Sequence, residues 1–547
     1  MNKSRPAKIR APRHNGDYVV SPITNLSSFI AQNRSVFKDV DGQPISNLDS
    51  DQILRLRKEA RQQLMAAATD YVKCYAPDAL QSLTTSSQDG PLILTGHQPE
   101  FFHPGVWFKN FLVHKLAGRC EGVGINIIID NDTCSSSSVV VPSGTLENPQ
   151  RHAIAFDGNE PNETNEQQAI PFELAEWKDP LTTSKFRDQA VSALSSLMSE
   201  PIVVDQVWED LLTIQSECLN VGKTIARTRH LYELEHKIEN LDVPLSHLCR
   251  QNTFGHFLLD IFTHAEQFQR LYNESLLEFR VQNKVRSQSH PVPELVTSED
   301  WTELPFWIWT QQSPWRGPLY IRRLDDRFEL ADLDQIHCEV AANEAFLEDL
   351  NALSDDGVAI RPRALMTTMF TRVFLADVFV HGIGGAKYDE LTDRIIQGFY
   401  GVTPPQFITA TSTHLLPLGV TPFDEGEVAV RKQEIRSLLF HPENYFSGSQ
   451  TDATASTWMD KKKELLATIP SRGAKKTWHK SLEETNEAMQ SFIRSRIKDC
   501  QNHLDDLTRL RQKTNLLTSR EFSFLLHPQD LPNVLNRISE EAADKFI

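Results

Sequence analysis

The chain has 547 residues, 56 Lys and Arg against 73 Asp and Glu, and a formal net charge of −17. Its 40% apolar and 24% charged residues are those of a globular chain and exclude disordered, collagen-like and disulfide-scaffold proteins. The acidic balance argues against a nucleic-acid binder, which needs basic surface to displace counterions. No apolar run approaches the roughly 20 residues of a membrane helix, so a membrane role is not expected.

Residues 1–10 are basic without a following apolar stretch, so a basic tail is expected there in place of a secretory signal. Residues 1–90 are expected to form an N-terminal extension whose helix, over 50–75, packs on a core. Ser50 or Asp51 is its expected N-cap, with Ile53, Leu54, Leu56, Ala60 and Leu64 on the apolar face. A loop over 84–91 precedes a short buried strand, Leu92–Thr95, and a helix from about Pro104. A second strand over 124–129 ends in Asp130-Asn-Asp132. Strand, helix and continuous apolar strand form one βαβ unit, the mark of a parallel sheet covered on both faces. A helical insertion is expected over about 150–290. The aromatic stretch Leu304–Trp309 and Trp315–Arg323 reads as a sheet edge.

A second such unit follows in the apolar run Met366–Val380, the glycine turn His381–Gly385 and a helix bearing Tyr388. Both halves are expected in one sheet, within a core spanning 91–425. Ser447–Thr457 is a linker, and residues 474–519 contain no proline or glycine. There Met489, Ile493, Ile497, Cys500, Leu504 and Leu507 recur at spacings of 4, 4, 3, 4 and 3. That heptad-like seam predicts a long helical or coiled-coil arm over 426–520, followed by a segment, 521–547, returning to the core. The arm would pair with another helix of the chain, such as Ala453–Ile469, or with a second copy as a homodimer. The seven cysteines are scattered and never spaced C-x-x-C, which fits reduced thiols in the cytoplasm and gives no metal site.

The segment Thr95-Gly-His-Gln-Pro-Glu-Phe-Phe-His-Pro-Gly105 with Lys109 carries most of the chemistry. It lies where a strand ends and a helix begins, the position at which α/β sheets bind ligands and helix N-termini attract anions. His97, His103 and Lys109 would supply protonatable and cationic partners there, or His97 and His103 would simply satisfy loop backbone. Asp130 and Asp132 would orient or deprotonate an amine, or serve as turn residues. Glycines near Gly384 permit close backbone approach, but Lys387 stands where a dinucleotide fingerprint needs its third glycine. Gly222-Lys-Thr224 likewise has Glu217 where a phosphate loop needs its first.

In the same order, these features resemble the cysteine-adding ligases of bacillithiol synthesis. That family has Thr-Gly-Gln-Gln-x-Gly-Leu-Phe-x-Gly after its first strand, an acidic cluster after the next, Arg-Pro before an apolar strand, and a Gly-Gly turn into a Tyr-bearing helix. Here Thr95–Gly105, Asp130–Asp132, Arg361-Pro362, Gly384-Gly385 and Tyr388 correspond. His97 replaces the family's first glutamine, and the acidic cluster lacks its histidine. The resemblance implies a Rossmann-like, nucleotidyltransferase-like parallel core with connector helices and a dimerising coiled-coil arm. The implied reaction joins cysteine to the amine of a glucosaminyl malate, or is a paralogous one.

The expected function is therefore that of a ligase or related transferase acting on a small anionic metabolite. His97 and His103 would meet its charge, with Gln98 and the amides near Gly105 assisting. Asp130 or Asp132 would hold the amine, while Thr95, Gly96, Lys109, Arg361, Gly384, Gly385 and Tyr388 complete the binding set. Activating a carboxylate implies ATP or another nucleotide as cofactor. The rivals are a nucleotidyltransferase-like enzyme on a phosphorylated metabolite and a non-catalytic assembly protein with a degenerate pocket.

Overall fold

A computed structural model describes residues 9–40, 43–82, 90–134, 136–158, 170–332, 334, 336–446, 453–468, 470 and 475–546. Most of the expected basic tail and of the 84–91 loop, and the first half of the 447–457 linker, lie outside the described residues. Contacts divide the chain into two units, one of residues 1–141, 152–416 and 520–547, the other of 142–151 and 417–519.

The strands run β1 (Tyr18–Ser21), β2 (Leu92–His97), β3 (Val123–Ile128), β4 (Ser138–Gly144) and β5 (Pro149–Ala155). They continue with β6 (Leu241–Pro244), β7 (Thr297–Ser298), β8 (Trp301–Thr310), β9 (Gly317–Leu324) and β10 (Arg327–Ala331). β11 (His337–Ala341), β12 (Val358–Pro362), β13 (Val378–His381) and β14 (Phe407–Ser412) follow.

The first unit is mixed α/β, and its main sheet has the order β1-β14-β13-β2-β3-β6. All neighbours are parallel except β1, which runs antiparallel to β14. The sheet is thus mixed rather than wholly parallel. β2 and β13 lie side by side, yet β2 leads through the Pro104–Arg119 helix to β3 on one side, while β13 leads through the Ile383–Tyr400 helix to β14 on the other. The expectation that both halves share one sheet holds. β3 is buried at every residue, as its unbroken apolar run requires.

Residues 297–362 depart from the expected pattern. They form a separate antiparallel sheet, β11-β10-β9-β8-β12, with β7 paired to β8. β8 lies inside that sheet and not at its edge, paired on both sides and with Phe306, Ile308 and Trp309 buried. Arg322 there pairs with Glu329 at 2.6 Å. The N-terminal helix spans Ser50–Lys73, and its cap is Asp49 in a capping box with Gln52, one residue earlier than expected.

The presumed glycine turn after β13 is a helix start. Gly382 is the N-cap, and Gly384 and Gly385 belong to the first turn of the Ile383–Tyr400 helix. None of the three has a positive φ. Gly385 instead leaves room for the His381 ring, into which a Cβ would press.

The second unit contains the helices Glu425–Phe440, Ala453–Ala467, Lys475–Gln490 and Arg494–Leu517. The long expected helix is interrupted at Ser491–Ile493 by a tighter turn, where Ser491 Oγ donates back to Ala488 O at 2.6 Å. The seam is buried within the unit. Ile493 and Cys500 pack on Leu438 and Ile435 of the Glu425–Phe440 helix. Ala453–Ala467 lies instead along Lys475–Gln490, with Trp478 Nε1 bonded to Leu465 O at 2.7 Å. Among the described residues no helix is long and apolar enough to cross a membrane.

One buried ion cluster locks the base of the main sheet. Asp377, just before β13, accepts from Arg34 Nε (2.8 Å), Arg61 Nη1 (2.8 Å), Arg57 Nη2 (3.2 Å) and the amide of Leu92, the first residue of β2 (2.9 Å). Burial alone would raise the Asp377 pKa, but Arg34, Arg61 and Arg57 hold it well below the carboxylate range. Asp377→Asn is expected to lower the unfolding free energy by about 3–5 kcal/mol, read as a fall in the urea midpoint of the full chain. The contribution is complete above the ordinary aspartate value of 3.8 and is lost as pH falls below it.

Candidate functional site

The carboxyl ends of β2 and β13 meet at one rim, where Thr95 Oγ1 donates to Val380 O at 2.8 Å. The two segments singled out in the sequence, Thr95–Lys109 and His381–Tyr388, therefore leave the same edge of the sheet.

From β2, Gly96 O accepts from Lys109 Nζ at 3.0 Å. Lys109 is buried, no carboxylate among the described residues pairs with it, and desolvation lowers its pKa to about 8. His97, at the end of β2, has Nδ1 3.2 Å from Gln98 O. Burial, followed by the charge of Lys109, pushes its pKa down to about 3. His103 is the N-cap of the Pro104–Arg119 helix, and burial with Arg520 and Lys109 lowers its pKa to about 4. Its Nδ1 accepts from Gly105 N at 3.1 Å, so its proton sits on Nε2 in the neutral form.

The amides near Gly105 do not serve as open donors. Gly105 N is taken by the His103 ring, and Val106 N and Trp107 N by His103 O at 3.0 and 3.4 Å. The helix dipole remains, but the expected amide contacts are spent on capping. Gly105 is glycine because any Cβ would collide with the Ser412 carbonyl and the Arg520 guanidinium. Arg520 opens the segment that returns to this unit, and its Nη2 donates to Thr411 Oγ1 at 2.9 Å.

The acidic pair at the end of β3 divides. Asp132 is joined to the first motif, since its Oδ2 accepts from Gln98 Nε2 at 2.7 Å and its Oδ1 from Arg316 Nη1 at 2.9 Å. Its side chain remains 36% exposed and within reach of a solute. Asp130 is buried beneath it, with both oxygens held by Ser246. Desolvation and neighbouring Glu173 raise its pKa. Enclosed in this way, Asp130 is set apart from Asp132, which stays partly exposed.

Arg361 belongs to the same buried group. Its Nε donates to Glu173 at 3.1 Å and its guanidinium lies over Trp309, so it does not line the crevice. On the far wall, Gly384 and Gly385 are exposed, and Tyr388 Oη lies 3.4 Å from His290 Nε2. His381 is not free for a ligand, because its Nε2 bonds Asp389 at 2.8 Å, beside Arg372.

The sequence reading missed Arg520, Thr411, Ser412, His414 and Arg316, which come from segments far along the chain. No local motif marks them. Among the described residues no group of three His, Cys, Asp or Glu could hold a metal ion. No known protein-family model matches the chain, and no curated protein matches its sequence.

Lys109 is the buried cation here without a carboxylate paired to it among the described residues, which suits an anionic ligand. Lys109→Met is expected to stabilise the free protein at pH 7 by about 2 kcal/mol, because it removes a buried charge. The folded pKa lies below the ordinary 10.5, so the penalty is full below about 8 and vanishes by 10.5. The variant's advantage in urea denaturation should shrink over that interval.

Proposed function

We propose that the chain is a carbon–nitrogen ligase, or a related group transferase, that joins cysteine or a similar amino acid to the amine of a small anionic sugar conjugate. A Rossmann-like, nucleotidyltransferase-like reading of the core belongs to the same proposal. The observation that supports it best is the adjacency of β2 and β13 where their outgoing connections diverge. Open parallel sheets bind ligands in the crevice at such a point.

In this reading Asp132, fixed by Gln98 and Arg316, orients the attacking amine. His97, with Nδ1 toward the Gln98 carbonyl, presents Nε2 as an acceptor for the proton the amine releases. His103 and Lys109 face the anionic part of the substrate and offset charge that develops on the acyl oxygen. A nucleotide such as ATP, when bound, supplies the activation of the carboxylate. The exposed first turn of the Ile383–Tyr400 helix fits its phosphates, since Gly382 makes no side-chain cap and Lys387 stands in that turn. A homodimer through the helical unit is part of the proposal, supported by the exposed apolar side chains Val430, Phe440, Leu466 and Leu510.

The test incubates the full chain with cysteine, a glucosaminyl malate and magnesium ATP, and follows products by mass spectrometry. The expected product is the sum of the two substrates less one water. His97→Ala and Asp132→Asn should each slow its formation by about 100-fold or more. Pyrophosphate release without that adduct would transfer the site to a nucleotidyltransferase. No turnover across a panel of amines and acids would leave the chain an assembly protein.

A further inference from the structure

Polar groups from two segments, 412–414 and 520–527, gather without hydrogen bonds at the carboxyl end of β14. Ser412 Oγ, His414 Nε2 and His527 Nε2 are buried and make no hydrogen bond. Arg520 Nε makes none either, although its Nη2 is fixed on Thr411. These groups lie together. Ser412 O and the Arg520 guanidinium flank Gly105, while His527 is electrostatically coupled to His414 and His103. Orphaned buried polar atoms cost stability, so a cluster of four needs an occupant that satisfies them.

Two cations, Lys109 and Arg520, lie at this corner with the rings of His97, His103, His414 and His527. The carboxylate beside them, Glu521, has a side chain 68% exposed. Its Oε2 lies 3.5 Å from His103 Nε2 and its Oε1 3.5 Å from Arg520 Nε. The neutral His103 ring and the Arg520 guanidinium therefore already point at one oxyanion position, which the Glu521 carboxylate occupies loosely from the solvent side.

We propose that this corner binds the oxyanion of a small molecule, a carboxylate or a phosphate, which replaces the Glu521 carboxylate between His103 and Arg520. The assignment deepens the proposed function and rests on its reading of the crevice as a substrate site: the corner holds the substrate's anionic group next to the reacting end. Ser412 presents a hydroxyl, Arg520 its Nε–H beside an Nη2 held by Thr411, and His103 an Nε2 proton. Burial and the neighbouring positive charges lower His103 and His414 to about 4 and His527 to about 3. The three rings are therefore neutral near pH 7, while Lys109, with a pKa of about 8, gains charge as pH falls from 8 to 6. Anion binding should then tighten over that interval.

Calorimetric titration of the full chain with inorganic phosphate and, separately, with succinate tests this without cysteine or nucleotide. One of the two should bind, more tightly at pH 6 than at pH 8, and the arm that binds identifies the oxyanion. Arg520→Gln should weaken binding by about 10-fold or more, the scale of a lost charge-assisted pair. Glu521→Gln, an exposed change that leaves the fold intact, should tighten it by about 3-fold or more by removing the competing carboxylate. Failure of both anions to bind wild type and Glu521→Gln would overturn the proposal, as would equal affinities of wild type and Glu521→Gln. Anion binding without ligase turnover sinks the ligase reading alone. Turnover without anion binding sinks this assignment alone.

Discussion

A single buried carboxylate governs the placement of the crevice. Asp377 lies between β2 and β13 and collects Arg34 from the Leu26–Ser35 helix, Arg57 and Arg61 from the Ser50–Lys73 helix, and the first amide of β2. A carboxylate in that position would be expelled if uncompensated, and the three guanidinium groups would be equally unhappy without it. Each half of the cluster therefore requires the other. The outcome is that two strands separated by nearly 300 residues start level, run parallel and end at the same rim. The functional segments inherit their proximity from an ion cluster at the opposite end of their strands.

A second buried network fixes the wall that bears the histidines. Glu233 accepts from Trp107 Nε1 at 2.6 Å and from Asn110 Nδ2 at 2.8 Å, and pairs with Arg229, which also bonds Asp242 beside β3. The Pro104–Arg119 helix is thereby pinned along its buried side. Here one guanidinium serves two carboxylates, whereas Lys109 at the crevice is buried with no carboxylate paired to it among the described residues.

The legible parts of the chain were those set by local pattern. β2, the helix from Pro104 and β3 are written in continuous apolar runs and a proline at a helix start, and they form as those signals dictate. The glycines after β13 misled because glycine is compatible with a turn and with a helix start alike, and only the neighbouring His381 ring reveals why position 385 lacks a side chain. Asp130 and Asp132 look equivalent in sequence. Burial separates them, since Ser246 arrives from over 100 residues away to cover one and leave the other. Arg57 is the clearest overlooked signal, an arginine on the same face as Ile53, Ala60 and Leu64, which marks a buried acidic partner somewhere in the fold. Arg520 and His414 gave no signal, because their role depends on which strand ends they meet.

The antiparallel partnership of β1 with β14 joins residues 18–21 to 409–412. During synthesis at about 5–20 residues per second, the first strand waits tens of seconds for its mate to leave the ribosome. Throughout that time β1 has no ladder to join. Closure of the sheet therefore waits until residues 409–412 have emerged, and a chain halted before residue 412 leaves an open edge prone to pairing with the wrong chain.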